Sequence, residues 1–451
     1  MASTRLSRTV GAGNRQTWTW SGWVKRSKLT YDSASLLGTY VNANDQFNMY
    51  FSDADELWMF FYNGTSYYLK PNVKYRDTSA WYHIVAVADT TNATSSDRWR
   101  IYVNGERMTD VTENQPTQNL QMSINDSNTM EVGSFNSTKY FDGEMAHVHF
   151  IDGTAYDADT FGETDATTGI WKPKTAPSVT YGTNGFFLKF ENSGSMGTDS
   201  SGNGNNFTVN GTMTQTIDTP SNVFCTMNPL NVPSLAPTFE NGNTVCQTNT
   251  GDPSYFAGSG TLGVSSGKWY WEIKCISGSD SGYVVGVTGN VSGLSVLPGF
   301  PGQTWDTEGY GYYAPDGHWY NNGSDQGAYG NTYTTNDIIS IALDLDNNKL
   351  YFAKNGTWQN SGDPTSGATG TGALSITDPA STTGGYYHAT CGSGGSATYH
   401  KYGYNFGNGY FGTTPVSSAE NPDDGIGIFE YSVPTGYRAL CTKSINAEEY
   451  S

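Results

Sequence analysis

Residues 81–105 read WYHIVAVADTTNATSSDRWRIYVNG, and the fold class can be read from them. Two short runs, Tyr82–Ala88 and Arg98–Val103, are crowded with aromatic and β-branched residues. Such side chains suit a pleated, half-buried surface and predict strands. Asn, Thr, Ser and Asp fill the space between the runs. Asn104-Gly105 ends the second run with the two-residue signal of a tight hairpin turn.

The same pattern extends both ways along the chain. Thr17–Val24 (TWTWSGWV) alternates Trp18 and Trp20 with polar neighbours, as a strand with one apolar face does. Gln46–Phe51, Leu57–Tyr62, Met130–Gly133, Glu144–Ile151 and Gly185–Glu191 are further predicted strands of the first half. In the second half the predicted strands are Gly267–Cys275, Tyr283–Val287, Tyr310–Tyr313, Ile338–Leu345, Lys349–Lys354, Tyr386–Ala389 and Tyr404–Gly407. LDLDNNKLYF reads as a hairpin turning at Asp346-Asn347-Asn348. Helical periodicity is scarce, and Asp157–Gly162 has room for one turn. Short strands spaced this evenly predict an all-β chain of two tandem antiparallel β-sandwiches of the jelly-roll type.

The chain has 451 residues, 14% aromatic and only 14% charged, with a formal net charge of −19. No run of Lys or Arg exceeds two residues, so phosphate backbones are repelled and nucleic acid is excluded as the main partner. No apolar stretch of about 18 residues is present, so no membrane insertion is expected. The five cysteines, Cys225, Cys246, Cys275, Cys391 and Cys441, show no CxxC spacing. An odd count rules out a complete disulfide framework, and buried core thiols are expected. Met1–Val10 lacks the apolar core of a secretory leader. An extracellular type of composition without such a leader points to release by lysis, as for a virus particle.

Two resemblances sharpen the fold. Trp18–Lys25 (WTWSGWVK), WYHIVA, WRIYVNG, Glu131–Gly133 (EVG) and Tyr140–Phe150 (YFDGEMAHVHF) occur in the order and spacing of a laminin-G-like, concanavalin A-like lectin domain. One feature departs from that pattern: the strand-plus-turn that usually opens such a domain comes last, as Phe186–Phe190 followed by DSSGNGNN at Asp199–Asn206. A strand returning from the far end would close an otherwise open sheet edge. The second half resembles a SPRY domain at Gly267–Ile273 (GKWYWEI), Val284–Val287 (VVGV), Tyr310–Tyr313 (YGYY), His318–Gly323 (HWYNNG), Ile338–Asp344 (IISIALD), Lys349–Gly356 (KLYFAKNG) and Tyr404–Gly407 (YNFG). That resemblance implies a protein-interaction module. The expected domains are 1–215 (laminin-G/concanavalin A-like), 216–249 (linker and entry strand) and 250–451 (SPRY-like with a C-terminal extension). Taken together the halves resemble fibre or receptor-binding proteins of tailed phages.

Candidate sites follow from chemistry. Trp305, Tyr310, Tyr313, His318, Trp319 and Tyr320 form a dense aromatic cluster whose outward members are a candidate ligand surface. Asp199, Asn203 and Asn205, set among glycines, offer hard oxygens and are a candidate Ca²⁺ site. Glu144, His147 and His149 read E-x-x-H-x-H, a weak metal pattern against ordinary sheet packing. Glycan hydrolases need two carboxylates facing each other across one site. Asp53, Asp55 and Glu56, like Asp344 and Asp346, read instead as solvated turn acids. No nucleophile elbow or phosphate loop is present, so no catalysis is expected.

These readings lead to an expected non-enzymatic virion protein, a tail fibre or receptor-binding protein attaching a phage to its host. The alternatives are a capsid-attached fibre or decoration protein and, in another class, a glycan depolymerase. Expected partners are other virion proteins, a host surface glycan or protein, and further copies of the chain in a trimer. The expected location is the virion.

Overall fold

Trp18 and Trp20 lie on one face of a single strand, Thr17–Arg26, and neither exposes any surface. That strand sits inside a six-stranded sheet, and its alternation sets the layer it helps to build. The computed structural model describes residues 4–232, 237–248, 256–278, 282–291, 300–303, 306–394 and 399–449. Its residues are almost wholly strand and loop. Thr442–Glu449 is the one α-helix among the described residues.

The chain divides into two units, one of residues 1–215 with 219–221, the other of residues 216–218 with 222–451. Each is built from two antiparallel sheets facing one core.

In the first unit Trp81–Asp89 and Trp99–Val103 flank Thr17–Arg26 on one side, and Gly143–Asp152 lies on the other. The second sheet has eight strands, among them Ala34–Asn42, Asp45–Phe51, Leu57–Tyr62 and Ser66–Pro71. Trp18 meets Phe47 edge-on across the gap, with ring centroids 5.3 Å apart. Asn104 and Gly105 both take positive φ, as the expected two-residue turn requires.

The end of the unit returns to close its edges. Phe186–Leu188 pairs with Gly143–Asp152 at one edge of the six-stranded sheet. Thr208–Asn210 pairs with Arg5–Thr9 at an edge of the eight-stranded sheet. Each addition satisfies backbone groups that would otherwise face solvent as an open template.

In the second unit Lys268–Gly278 is central to the larger sheet, between His400–Asn405 and Ile338–Asp344. Residues 216–249 carry two strands of this sheet, Thr238–Glu240 and Val245–Gln247. The six-stranded sheet runs, in spatial order, Phe256–Val264, Tyr387–Ser393, Tyr283–Thr288, Gly309–Tyr313, His318–Asn321 and Ser324–Ala328.

The far end of the chain covers a second face of the larger sheet. Phe429, Tyr437 and Ala439 pack with Tyr270, Ala342 and Tyr351 in a separate buried cluster. Arg438–Ala439 also pairs in parallel with Trp269 and Tyr270.

Candidate functional site

The aromatic cluster of residues 305–320 is split by strand geometry. Gly309–Tyr313 and His318–Asn321 are paired strands, with Tyr312 opposite Trp319 and Gly311 opposite Tyr320. Alternation sends Tyr310 and Tyr312 into the core and Tyr313 to the other face. Tyr310 is 5% exposed, and its hydroxyl meets the backbone N–H and Oγ1 of Thr377. Trp319 stacks on Tyr310 and packs against the same core. Tyr310 is therefore no part of an outward surface, which corrects its place in the expected ligand set, while Trp319 lies on the core side of its strand and is part-buried. Trp305 lies outside the described residues.

Three members of the expected set do meet outside. Tyr313 stacks on Phe300 with centroids 5.6 Å apart, and Tyr320 packs edge-on against both rings. His318 shares Tyr320's face, being two residues away on one strand. Its Nδ1 lies 2.9 Å from Asp325 Oδ2 and 3.9 Å from Asp316 Oδ2. The two aspartates are fixed from behind: Asp316 Oδ1 accepts the N–H of His318, and Asp325 Oδ1 accepts that of Gly327. The Asp325 carboxylate raises the His318 pKa above its ordinary value. The result is two part-exposed tyrosines packed on a buried Phe300, beside a compact acidic group. Asp316, His318 and Asp325 are also the one group with metal-ligand proximity among the described residues.

The candidate Ca²⁺ turn is built differently. The Asp199 carboxylate accepts four hydrogen bonds, from the N–H groups of Phe187, Ser201 and Asn205 and from the Ser201 hydroxyl. Asn203 and Asn205 turn their amide N–H groups onto carbonyls of residues 182, 183 and 185. The Asn205 oxygen accepts from the Arg8 guanidinium at 2.6 Å. A calcium ion needs six to eight converging oxygens. Here the oxygens of Asp199 and Asn205 are taken by N–H and hydroxyl donors and a cationic side chain, so these residues do not fit the ion.

His147 and His149 lie at a bulge, where His147 takes φ +49°. His149 stacks on Phe187 at 3.9 Å and meets Tyr181 Oη at 2.9 Å. Burial holds its pKa well below the ordinary range. Both residues serve packing, and no metal cluster among the described residues includes them.

One pair that the sequence does not reveal is Ser21 and His83, with Oγ 2.9 Å from Nε2. The pair has the look of a nucleophile and its base, but the tautomer argues otherwise. The Trp171 indole N–H, a donor only, points at His83 Nδ1 at 2.9 Å. Nδ1 therefore accepts, Nε2 carries the proton, and Nε2 donates to Ser21. Burial pushes the His83 pKa down to about 3, so the ring stays neutral. A serine that receives a proton donor is not activated as a nucleophile.

Two acids expected to be solvated are buried. Asp55 exposes nothing and pairs with Arg26 at 2.9 Å and Arg76 at 3.0 Å. Asp344 is equally buried beside Lys268 at 3.0 Å. Neither faces a second carboxylate in these pairings.

Comparison with known proteins assigns both halves. Residues 5–159 match the family described as the Concanavalin A-like lectin/glucanases superfamily, of laminin-G type. Residues 268–377 match the SPRY domain. The chain thus carries a concanavalin A-like domain followed by a SPRY domain. It is 35% identical over 94 residues to human Ran-binding protein 9, a stretch covering 21% of this chain and 12% of that protein. It is 36% identical over 94 residues to Ran-binding protein 9 of Danio rerio, covering 21% and 15%. With the Ran-binding proteins 9/10 homolog of Drosophila melanogaster it shares 34% over 93 residues, covering 20% and 9%. The chain therefore matches less than a sixth of these relatives' own length. Among solved structures, the SPRY domain of human HERC1 aligns at TM-score 0.30 and 20% identity, covering 40% of this chain and 96% of that one. A pentraxin from Limulus polyphemus aligns at TM-score 0.27 and 16% identity, covering 34% and 72%.

These relatives are animal proteins, and they overturn the expected phage fibre and its virion location. The expectation rested on the resemblance of the two halves taken together, with composition and the start of the chain in agreement. Glycine- and asparagine-rich turns with few charges belong to this kind of β-fold wherever it occurs, so they say nothing about a particle. No helix among the described residues is long and apolar enough to cross a membrane.

Proposed function

We propose that this chain is a non-enzymatic protein-binding protein whose second unit recognises a basic polypeptide on the face carrying Tyr313, His318 and Tyr320. The carrying observation is the juxtaposition of the Phe300–Tyr313–Tyr320 aromatic group with Asp316, in the turn before His318–Asn321, and Asp325, on the neighbouring strand. Aromatic rings that are part-buried but reachable are the usual energetic anchors of protein interfaces. Flanking carboxylates add specificity and speed encounter with a partner of opposite charge.

Charge supports the same reading. Residues 216–451 hold twenty Asp and Glu against seven Lys and Arg, a formal charge of −13. The remaining residues, 1–215, hold twenty-two against sixteen, a formal −6. The acidic field is thus concentrated in the unit that carries the candidate face, and it favours basic partners over nucleic acid or acidic chains. The names of the relatives describe proteins that bind a protein, which agrees with an interaction role for the stretch they share.

Absence of catalysis is part of the proposal. The Ser21–His83 pair holds its proton the wrong way for nucleophile activation. The buried acids Asp55 and Asp344 are neutralised by Arg26, Arg76 and Lys268.

A peptide array probed with the full chain tests the proposal. Basic peptides containing an aromatic or long aliphatic residue should be retained at low salt. The double variant Asp316→Asn/Asp325→Asn and the variant Tyr320→Ala should lose them. Preference for acidic peptides, or equal retention by the variants, would contradict it.

A further inference from the structure

All five cysteines are reduced and buried in the second unit, and two of them touch. Cys246 lies on Val245–Gln247 of the larger sheet, and Cys391 on Tyr387–Ser393 of the six-stranded sheet. Neither exposes any surface, and their Sγ atoms are 3.5 Å apart. The contact thus joins the two layers between residues 145 positions apart in sequence.

The third nearby thiol fits Cys246 less well. Cys246 and Cys275 are both register partners of Tyr402, on opposite sides of its strand. Two strand spacings of roughly 4.8 Å then separate their Cα atoms, beyond the roughly 7 Å limit for a disulfide. Cys391 reaches Cys246 from the facing sheet instead. A disulfide needs sulfur atoms about 2.05 Å apart, so closure requires roughly 1.5 Å of approach, within the range of side-chain adjustment.

We infer that Cys246 and Cys391 form a site of two-electron oxidation, closing to a cross-sheet disulfide when the protein meets a peroxide. The Cys246 thiol loses its proton, and its sulfur attacks one peroxide oxygen. The O–O bond breaks, the other oxygen leaves as water after taking a proton, and Cys246 becomes a sulfenic acid. The Cys391 sulfur then attacks the Cys246 sulfur and expels the second water, its own proton going with the leaving hydroxide. Two thiols and one hydrogen peroxide give one disulfide and two waters.

Two features set when this happens. Burial holds the Cys246 thiol well above its ordinary pKa, so the closed protein keeps it in the less reactive protonated form. Cys246 nevertheless sits one strand in from the sheet edge, under the three-residue strand Thr238–Glu240. Short edge strands open at low free-energy cost, and opening of this hairpin admits the oxidant. Once formed, the bond ties the edge hairpin to the opposite sheet.

The test treats the full chain with hydrogen peroxide at neutral pH, blocks remaining thiols, digests without reductant and maps linked peptides by mass spectrometry. The expected product is a Cys246–Cys391 linked peptide, two hydrogens lighter than its parts and released by dithiothreitol. Hydrogen exchange of the Cys246 and Gln247 amides should slow in the oxidised protein. Cys275→Ala should still form the link, whereas Cys391→Ala should not. Cys246→Ser, a near-isosteric change on the strand next to the sheet edge, gives the same null should Cys391→Ala fail to fold. Over-oxidation of single thiols without a link, a link through Cys275 instead, or unchanged exchange at the edge hairpin would overturn the inference.

Discussion

His318 Nδ1 lies 2.9 Å from Asp325 Oδ2, across two paired strands that end in open solvent. This contact couples the charge of the proposed recognition face to pH. The Asp325 carboxylate stabilises the protonated ring and raises its pKa above the ordinary 6.5. A histidine with a raised pKa contributes stability below 6.5 and loses it as pH rises through the shifted value. His318 is part-exposed and its ion pair is reached by water, so the stability effect is small. Its charge effect on binding is larger. Below the shifted value the cation offsets one of the two aspartates, and above it both stand uncompensated. Affinity for a basic peptide should therefore rise as pH increases through that value. A proton NMR titration of the His318 ring should show a midpoint above 6.5 that falls in Asp325→Asn. A midpoint unaffected by that change would show the ion pair to be absent in solution.

Neighbouring tyrosines should respond in opposite ways. Tyr310→Ala opens a cavity in the core and should cost about 3–5 kcal/mol of stability. Tyr320→Ala removes a half-buried ring from the Phe300–Tyr313 group. It should cost about 1–2 kcal/mol of stability yet lower peptide affinity at least about tenfold. Denaturant melts paired with a binding assay on each variant separate the two effects. Equal binding losses from both would point to unfolding rather than to a surface.

Asp55 and Arg26 form a buried pair in the first unit, with Arg76 completing the neutralisation from the surface. Asp55→Ala leaves the Arg26 guanidinium buried without its carboxylate. The expected loss is about 3–5 kcal/mol, seen as a lower urea midpoint for the first unit. A loss under about 1 kcal/mol would mean that water reaches Arg26 in the folded protein.

Glu272 clips the C-terminal segment to the second unit. Its carboxylate accepts the N–H groups of Glu430 and Tyr431, each at 2.9 Å, together with Tyr270 Oη and Asn405 Nδ2. Burial raises its pKa to about 7, against the downward pull of those four donors. An acid with a raised folded pKa contributes stability in full below its unfolded value near 4.5, and loses it as pH rises through about 7. The melting temperature of the second unit should therefore fall between pH 5 and pH 8. Glu272→Gln places an amide N–H₂ against two donors, and hydrogen exchange at Glu430 and Tyr431 should speed up markedly. A pH-independent melting temperature would mean that the donors hold the group ionised throughout.

The Asp199 turn should ignore calcium. Its carboxylate is saturated by N–H and hydroxyl donors, and Arg8 supplies the positive charge. Millimolar Ca²⁺ or EDTA should leave the melting of the first unit unchanged. A rise of several degrees with Ca²⁺ would restore the ion to this loop.

How much of this the sequence discloses depends on whether a property is local. Leu57–Tyr62 and Lys349–Lys354 are strands at the expected residues, because alternation and turn chemistry act within a few positions. Alternation also divides Tyr310 from Tyr313. It does not say which member of the pair is buried, since that depends on the sheet lying opposite. Asp55 looks like a turn acid because its partner Arg26 is 29 residues away. His83 looks like an ordinary strand residue, and His149 like a member of a weak metal pattern. Their outer face is covered by a segment that includes Phe161, Trp171 and Tyr181, and no short-range pattern shows that. The Asp199 turn fails as a metal site for the same reason, because Arg8 arrives from the first strand. The charge imbalance between the halves, by contrast, is countable from the residues alone.

The Asp316–His318–Asp325 and Tyr313–Tyr320 face is the proposed seat of basic-polypeptide binding. Isothermal titration of the best array peptide against the full chain, at low and high salt, tests it most directly. Asp316→Asn/Asp325→Asn should weaken binding at least about tenfold at low salt and flatten its salt dependence. Unchanged affinity in that variant, with the fold intact, would contradict it.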